Sequence, residues 1–217
     1  MSAVAIKICG ITRVADALAA VECGAAMLGL NFYEGSPRCI SLERAQEIAA
    51  AVDGRAALVG VFVNMNISGV LAIARAVPLQ VIQLHGGEPT AACEFNAAEF
   101  DIIRAFKADG GFSAEHAAAF ARCHGLLLDT PCAAHGGSGQ SFDWASVDWP
   151  GLRRAAPKPK LFLAGGLHAG NVAEAIRAVH PDVVDVCSGV ESAKGIKSVE
   201  KMREFVAAVR AVERQEP

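Results

Sequence analysis

Short apolar runs rich in β-branched residues recur along the chain, and each is followed by an alanine-rich stretch with a period near 3.6 residues. The runs fall at 4–9, 27–32, 58–63, 80–84, 102–106, 125–129, 161–163 and 183–187. The clearest helical stretches between them are 14–23, 42–52, 68–76 and 171–179. The strand bodies are nearly continuous in apolar residues, as strands covered on both faces must be. Thr12, Ser41, Asn66 and Ser113 stand where helix N-caps belong. With 217 residues shared among eight β-then-α units, each has about 27, the compact end of a closed (β/α)₈ barrel. An open doubly wound sheet would carry a Gly-rich phosphate turn after its first strand, and Gly10-Ile11-Thr12 is not one. The expectation is an α/β fold: one TIM barrel of parallel strands over 1–217, with its weakest units at the fifth and sixth positions, where Gly110-Gly111 and Pro150-Gly151 interrupt short helices.

Composition bears on partners and compartment. Apolar residues make up 53% of the chain and charged residues 20%, which excludes a disordered chain. A net charge of −3 gives no global basic excess for nucleic acid or an anionic membrane, though a small anion needs only a local positive site. The stretch 56–74 has no charge, but Asn64, Asn66, Ser68 and Gly69 break it into a strand and a helix rather than a membrane span. Seven cysteines, none in a CxxC and none closer than nine residues, argue against a disulfide framework or zinc ribbon and for a reducing cytoplasm.

In such barrels chemistry sits where strands end and βα-loops begin. The polar residues there are Lys7 and Cys9, Asn31, Asn64, His85, Lys107, Asp129, Gly165-Gly166, and Asp185 with Ser188-Gly189. Cys9 is followed by Gly10, and a thiol works as base or nucleophile only as thiolate, so it needs a positive neighbour. Lys7 shares its face and either supplies that charge or binds substrate. Asp129 closes an apolar strand, where desolvation suits a carboxyl to donate a proton; a helix cap or a lysine partner is the plainer alternative. The Gly-rich loop 130–142, with a solvated His135, has the composition of a segment that closes over a ligand. Gly165, Gly166, Ser188 and Gly189 follow the seventh and eighth strands, the habitual phosphate site of this architecture. Arg38 suits a carboxylate, a surface arginine being the alternative. His85 is the single histidine at a strand end, so a metal site is poorly supplied and none is expected.

Taken in order, Lys-Ile-Cys-Gly-Ile-Thr (7–12), Gly-Leu-Asn-Phe (29–32), Ser-Pro-Arg (36–38), Gln-Leu-His-Gly (83–86), Leu-Leu-Asp (127–129), Gly-Gly-Ser-Gly (136–139), Leu-Ala-Gly-Gly-Leu (163–167) and Val-Asp-Val-Cys-Ser-Gly-Val-Glu (184–191) closely resemble the phosphoribosylanthranilate isomerases of tryptophan biosynthesis over essentially the whole chain. The resemblance implies a cofactor-independent Amadori rearrangement of a phosphorylated small-molecule substrate by a monomer or homodimer. It implies Asp129 as general acid on the furanose ring oxygen and Cys9 as general base at C2′. It implies Arg38 facing the anthranilate carboxylate, Gly165, Gly166, Ser188 and Gly189 on the phosphate, and supporting substrate-binding roles for Lys7, His85 and Asp185. Three departures are visible: Ser138 where Thr is usual, Cys187 where Ser is common, and Ser198 after Lys197 where Asp is frequent.

Two rivals remain at this level. The histidine-pathway isomerase shares the phosphate cradle but uses an aspartate where Cys9 stands, and a phosphosugar epimerase would want metal ligands. A non-catalytic phosphate-binding barrel would need neither Cys9 nor Asp129.

Overall fold

The computed structural model describes residues 3–93, 98–109, 112–130 and 141–214. Eight parallel strands close into a barrel: β1 (Ala5–Cys9), β2 (Met27–Asn31), β3 (Ala57–Phe62), β4 (Val81–Leu84), β5 (Asp101–Lys107), β6 (Gly125–Asp129), β7 (Lys160–Leu163) and β8 (Val183–Val186). The barrel closes where β1 pairs with β8, placing Lys7 opposite Asp185 and Ile8 opposite Val186. Outside it lie α1 (Val14–Cys23), α2 (Leu42–Val52), α3 (Ile67–Ala76), α4 (Ala114–Ala118), α5 (Trp149–Ala155), α6 (Val172–Val179) and α7 (Val199–Glu213). After Glu191, a short antiparallel pair, β9 (Glu191–Ala193) and β10 (Ile196–Lys197), lies beside the barrel. Among the described residues no helix is long and apolar enough to cross a membrane.

The units that depart from an ideal repeat are the fourth, fifth and sixth. Between β4 and β5 the described chain forms only a 3₁₀ turn, Thr90–Cys93. The helices α4 and α5 are short, as expected; Gly110 and Gly111 lie outside the described residues. The side chains of Ser41, Asn66 and Ser113 each cap a helix by accepting a backbone N–H. Thr12 does not. Arg13 occupies the N-cap of α1 without a side-chain bond, and Thr12 Oγ1 instead donates to the carbonyl of Gly195 at 2.5 Å, tying the start of the chain to the β9–β10 turn. Ser198 caps α7, a task serine and aspartate do comparably.

Alternation along the strands sorts side chains into two layers. Ile6, Ile8, Leu126, Leu128, Val184 and Val186 point outward into the core beneath the helices. Val59, Val81, Ile103, Leu127, Phe162 and Val183 point inward and fill the barrel. Counting on by two from the inward set reaches Gln83 on β4 and His85 just past its end, Asp129 on β6, and Asp185 on β8 with Cys187 just past its end. The same parity turns Lys7 and Cys9 inward on β1. A strict two-residue period thus delivers the polar rim.

Candidate active site

Cys9, Arg38, His85, Asp129, Asp185 and Ser188, with Gly165 and Gly166, line one pocket in the mouth of the barrel. Lys7 lies fully buried and donates from Nζ to Asp185 Oδ2 at 2.7 Å. Gly189 sits beneath the rim, where a Cβ would run into the carbonyl oxygen of Leu167. The expected lid cannot be placed: 131–140, with His135 and Ser138, lie outside the described residues.

The Cys9 sulfur occupies space that β2 leaves open. A Cβ on Gly29 would stand 2.6 Å from Sγ, so glycine is required there. Gly10 has φ +71, in the left-handed region, and a Cβ on it would stand 2.5 Å from Arg38 Cδ and 3.0 Å from Cys187 Sγ. A hydrogen bond from the Cys187 thiol holds Cys9 well below the usual thiol range despite its burial, helped by the ammonium groups of Lys7 and Lys197. The same bond, together with burial, pushes Cys187 up. Burial pushes Asp185 up to about 7, against the pull of Lys7. Lys7 is paired with Asp185, and Arg38 and Lys197 are both paired with Glu191.

Arg38 is buried rather than a surface residue. Its Nε and Nη2 donate to the two oxygens of Glu191, each at 2.7 Å. Lys197 Nζ adds a bond to Glu191 Oε1 at 3.0 Å and another to the Cys187 carbonyl, also at 3.0 Å. Burial pushes Glu191 up, but Arg38 and Lys197 outweigh it and hold the carboxyl below its ordinary value. Sequence reasoning had no place for Glu191, Cys187 or Lys197 as site residues. No local signal marked them, since 191–197 reads Glu-Ser-Ala-Lys-Gly-Ile-Lys, like an exposed turn.

Across the mouth, Asp129 Oδ1 accepts the Thr130 N–H at 2.8 Å, while Oδ2 stands 3.5 Å from His85 Nε2. Gln83 Nε2 lies 3.0 Å from His85 Nδ1. An amide nitrogen can only donate, so Nδ1 accepts and a neutral ring carries its proton on Nε2, toward Asp129. Arg104, buried on β5, donates to the carbonyls of Leu84 and Gly86 and to Glu88, bracing the loop that bears His85. Among the described residues, Asp185 Oδ1 and Gln83 Oε1 are buried without a hydrogen-bond partner, and both belong to pocket-lining side chains.

The rim at the ends of β7 and β8 is built from backbone. Gly165 and Gly166 have φ of +88 and +61, which only glycine adopts readily. Asn171 Nδ2 pins the turn through the Gly166 carbonyl at 3.0 Å. A Cβ on Gly165 would collide with Thr130 Oγ1. Ser188–Val190 form a 3₁₀ turn beside it. Amide groups gathered in this way suit a phosphate.

Free thiols are found at Cys9, Cys23, Cys39 and Cys187, but Cys123 is disulfide-bonded, contrary to the expectation from cysteine spacing. Cys123 ends a turn just before β6, and spacing alone says nothing of which residues a barrel brings near it. Among the described residues no cluster of His, Cys, Asp and Glu could hold a metal ion.

Residues 6–208 match the family model for N-(5'phosphoribosyl)anthranilate (PRA) isomerase. The chain is 46% identical over 214 residues to N-(5'-phosphoribosyl)anthranilate isomerase of Stutzerimonas stutzeri, covering 98% of this chain and 100% of that protein. It is 44% identical to the corresponding protein of Pseudomonas fluorescens strain Pf0-1, covering 97% and 100%. Among solved structures it resembles phosphoribosyl anthranilate isomerase of Thermotoga maritima, with TM-score 0.87, 38% identity and coverage of 96% and 99%. It also matches a phosphoribosyl anthranilate isomerase in complex with reduced 1-(o-carboxyphenylamino)-1-deoxyribulose 5-phosphate, with TM-score 0.84, 36% identity and coverage of 96% and 99%.

Proposed function

The chain belongs to the N-(5'-phosphoribosyl)anthranilate isomerase family, and we propose that it performs the family reaction with Asp129 as general acid and Cys9 as general base. The protein is an aldose–ketose isomerase of tryptophan biosynthesis. It converts N-(5-phosphoribosyl)anthranilate to 1-(2-carboxyphenylamino)-1-deoxyribulose 5-phosphate. The steps are proton transfers. Asp129, presenting Oδ2 to the pocket beside His85, protonates the furanose ring oxygen; the C1′–O bond breaks and an iminium forms. That cation acidifies C2′–H, and the Cys9 thiolate removes the proton to leave an enolamine. Proton return to C1′ and loss of the proton from the 2′-hydroxyl give the ketone. A thiolate of modest basicity suffices because the iminium has already lowered the barrier.

The observation that carries this reading is the placement of a charge-stabilised Cys9 and a strand-ending Asp129 on one rim, three strands apart around the barrel. Phosphate is assigned to the amides of Gly165, Gly166, Ser188 and Gly189. Glu191 takes the Nε and Nη2 edge of Arg38, so the Nη1 side of the fork is the one assigned to the anthranilate carboxylate. Asp185 Oδ1 and Gln83 Oε1 offer acceptors to ribose hydroxyls, while Lys7 keeps Asp185 in place rather than touching substrate. All these residues come from one chain, so a monomer or a homodimer would serve equally. A reducing cytoplasm suits an enzyme whose base is a free thiol.

The test is loss of anthranilate fluorescence from freshly prepared substrate, with non-enzymatic decay subtracted. Cys9→Ala and Asp129→Asn should each lower kcat by about 10² or more. Unchanged turnover in either variant would remove that residue from the mechanism.

A further inference from the structure

We propose that Cys9 and Cys187 form a dithiol–disulfide modification site that takes a small hydroperoxide as oxidant, and that closing the bond switches the enzyme off. Both cysteines line the same pocket, and a Cβ on Gly10, the residue after Cys9, would stand 3.0 Å from Cys187 Sγ. Their backbones run side by side: β1 and β8 pair in register from Ala5↔Val183 to Ile8↔Val186, and Cys9 and Cys187 are the next residue along each, Cys187 just past the end of β8. Neighbouring strands run about 4.8 Å apart, and disulfides span Cα separations of about 4.4–6.8 Å. Lys7 and Asp185 of the same register meet inside the barrel, and Cys9 and Cys187, one period further on, both line the pocket. A peroxide small enough to enter with substrate therefore reaches both.

The two residues are suited to different steps. The Cys9 thiolate attacks the peroxide, cleaving the O–O bond; hydroxide leaves and Cys9 becomes a sulfenic acid. The Cys187 sulfur then attacks the Cys9 sulfur, a second hydroxide leaves, and the S–S bond forms. The thiol proton of Cys187 and one further proton convert both hydroxides to water. Overall two thiols are oxidised and one peroxide is reduced. Lys197 Nζ lies 3.8 Å from Cys187 Sγ and favours its thiolate in the second step. Cys23 and Cys39, the other free thiols described, are pushed up by burial and lack this setting.

The loss of activity rests on Cys9 being the base; the bond itself does not. The experiment begins with untreated, reduced full-length protein, whose turnover is recorded first. It is then exposed to hydrogen peroxide, mapped by peptide mass spectrometry and assayed before and after dithiothreitol. The expected result is a peptide pair linked through Cys9 and Cys187, short by two hydrogens, with turnover reduced about tenfold or more and restored by the reductant. In Cys187→Ser, Cys9 should instead advance to the sulfinic acid, and its activity should not return. Unlinked Cys9 and Cys187 peptides in the treated parent would overturn the proposal, as would equal irreversibility of parent and variant. Linked protein that still turned over would overturn the switch and, separately, remove Cys9 from catalysis.

Discussion

Replacing Glu191 by glutamine tests how the site holds its charges. Glu191 is 7% exposed and takes two hydrogen bonds from Arg38 at 2.7 Å and one from Lys197 at 3.0 Å. Glutamine keeps the shape but removes the charge and turns an N–H₂ toward a donor. Two buried cations then lose their counter-ion at once. Breaking a buried pair from one side costs about 3–5 kcal/mol, and for a chain of this length that is a fall in Tm of roughly 6–20 °C. Lys197→Met should cost less, since Arg38 still neutralises Glu191. Adding Lys197→Met to Glu191→Gln should recover part of the loss, because one stranded charge disappears. The folded-state carboxyl lies below its ordinary value, so its contribution is present above the unfolded value and is lost as pH falls through the folded one. Thermal unfolding followed by circular dichroism across that acid range reads both effects: the parent should weaken on acidification more than Glu191→Gln. A Glu191→Gln protein within about 1 kcal/mol of the parent, or a Lys197→Met protein less stable than it, would refute this account of the buried charges.

Three further outcomes follow from the same geometry. Iodoacetamide should alkylate Cys9 at pH values where Cys23 and Cys39 are protonated and slow; a Cys9 rate–pH midpoint matching theirs would remove the roles given to Cys187, Lys7 and Lys197. Gly189→Ala, which drives a Cβ into the Leu167 carbonyl, should cost about 1–3 kcal/mol of stability and raise KM for the phosphorylated substrate more than it lowers kcat; an unaltered KM would place the phosphate elsewhere. Asp185 holds its proton up to about pH 7 when folded but releases it near the ordinary carboxyl value when unfolded, so its share of stability declines as pH rises through that interval. Asp185→Asn should flatten this part of the urea-unfolding profile, and an unchanged slope would contradict the raised value.

Strand positions were legible because barrel strands covered on both faces must be apolar throughout, and each observed strand lies within a residue or so of its apolar run. The ends of α1 and α2 were readable too: Gly24, at φ +100, stops α1, and Ser41 starts α2. What could not be read was whatever depends on a distant neighbour. Thr12 has the chemistry of a cap, yet the Gly195 carbonyl, far off in sequence, claims its hydroxyl. Arg38 carries no local mark of burial, because its enclosure comes from Glu191 and Lys197 on a strap beyond the last barrel strand. Inward residues at strand ends announce themselves through parity; residues on a hairpin outside the barrel do not. The segment between β4 and β5 shows the same limit, since an alanine-rich stretch there yields only a 3₁₀ turn among the described residues.

The seam between β1 and β8 also bears on when the site can exist. Lys7 and Asp185 are 178 residues apart in the chain, Arg38 and Glu191 are 153 apart, and the Lys197 N–H reaches back 181 residues to Asp16. Cys9 is therefore made long before Cys187 and Lys197, two of the groups that activate it. Throughout synthesis the reactive sulfur is an ordinary thiol, and it acquires its chemistry when the final strand docks against the first.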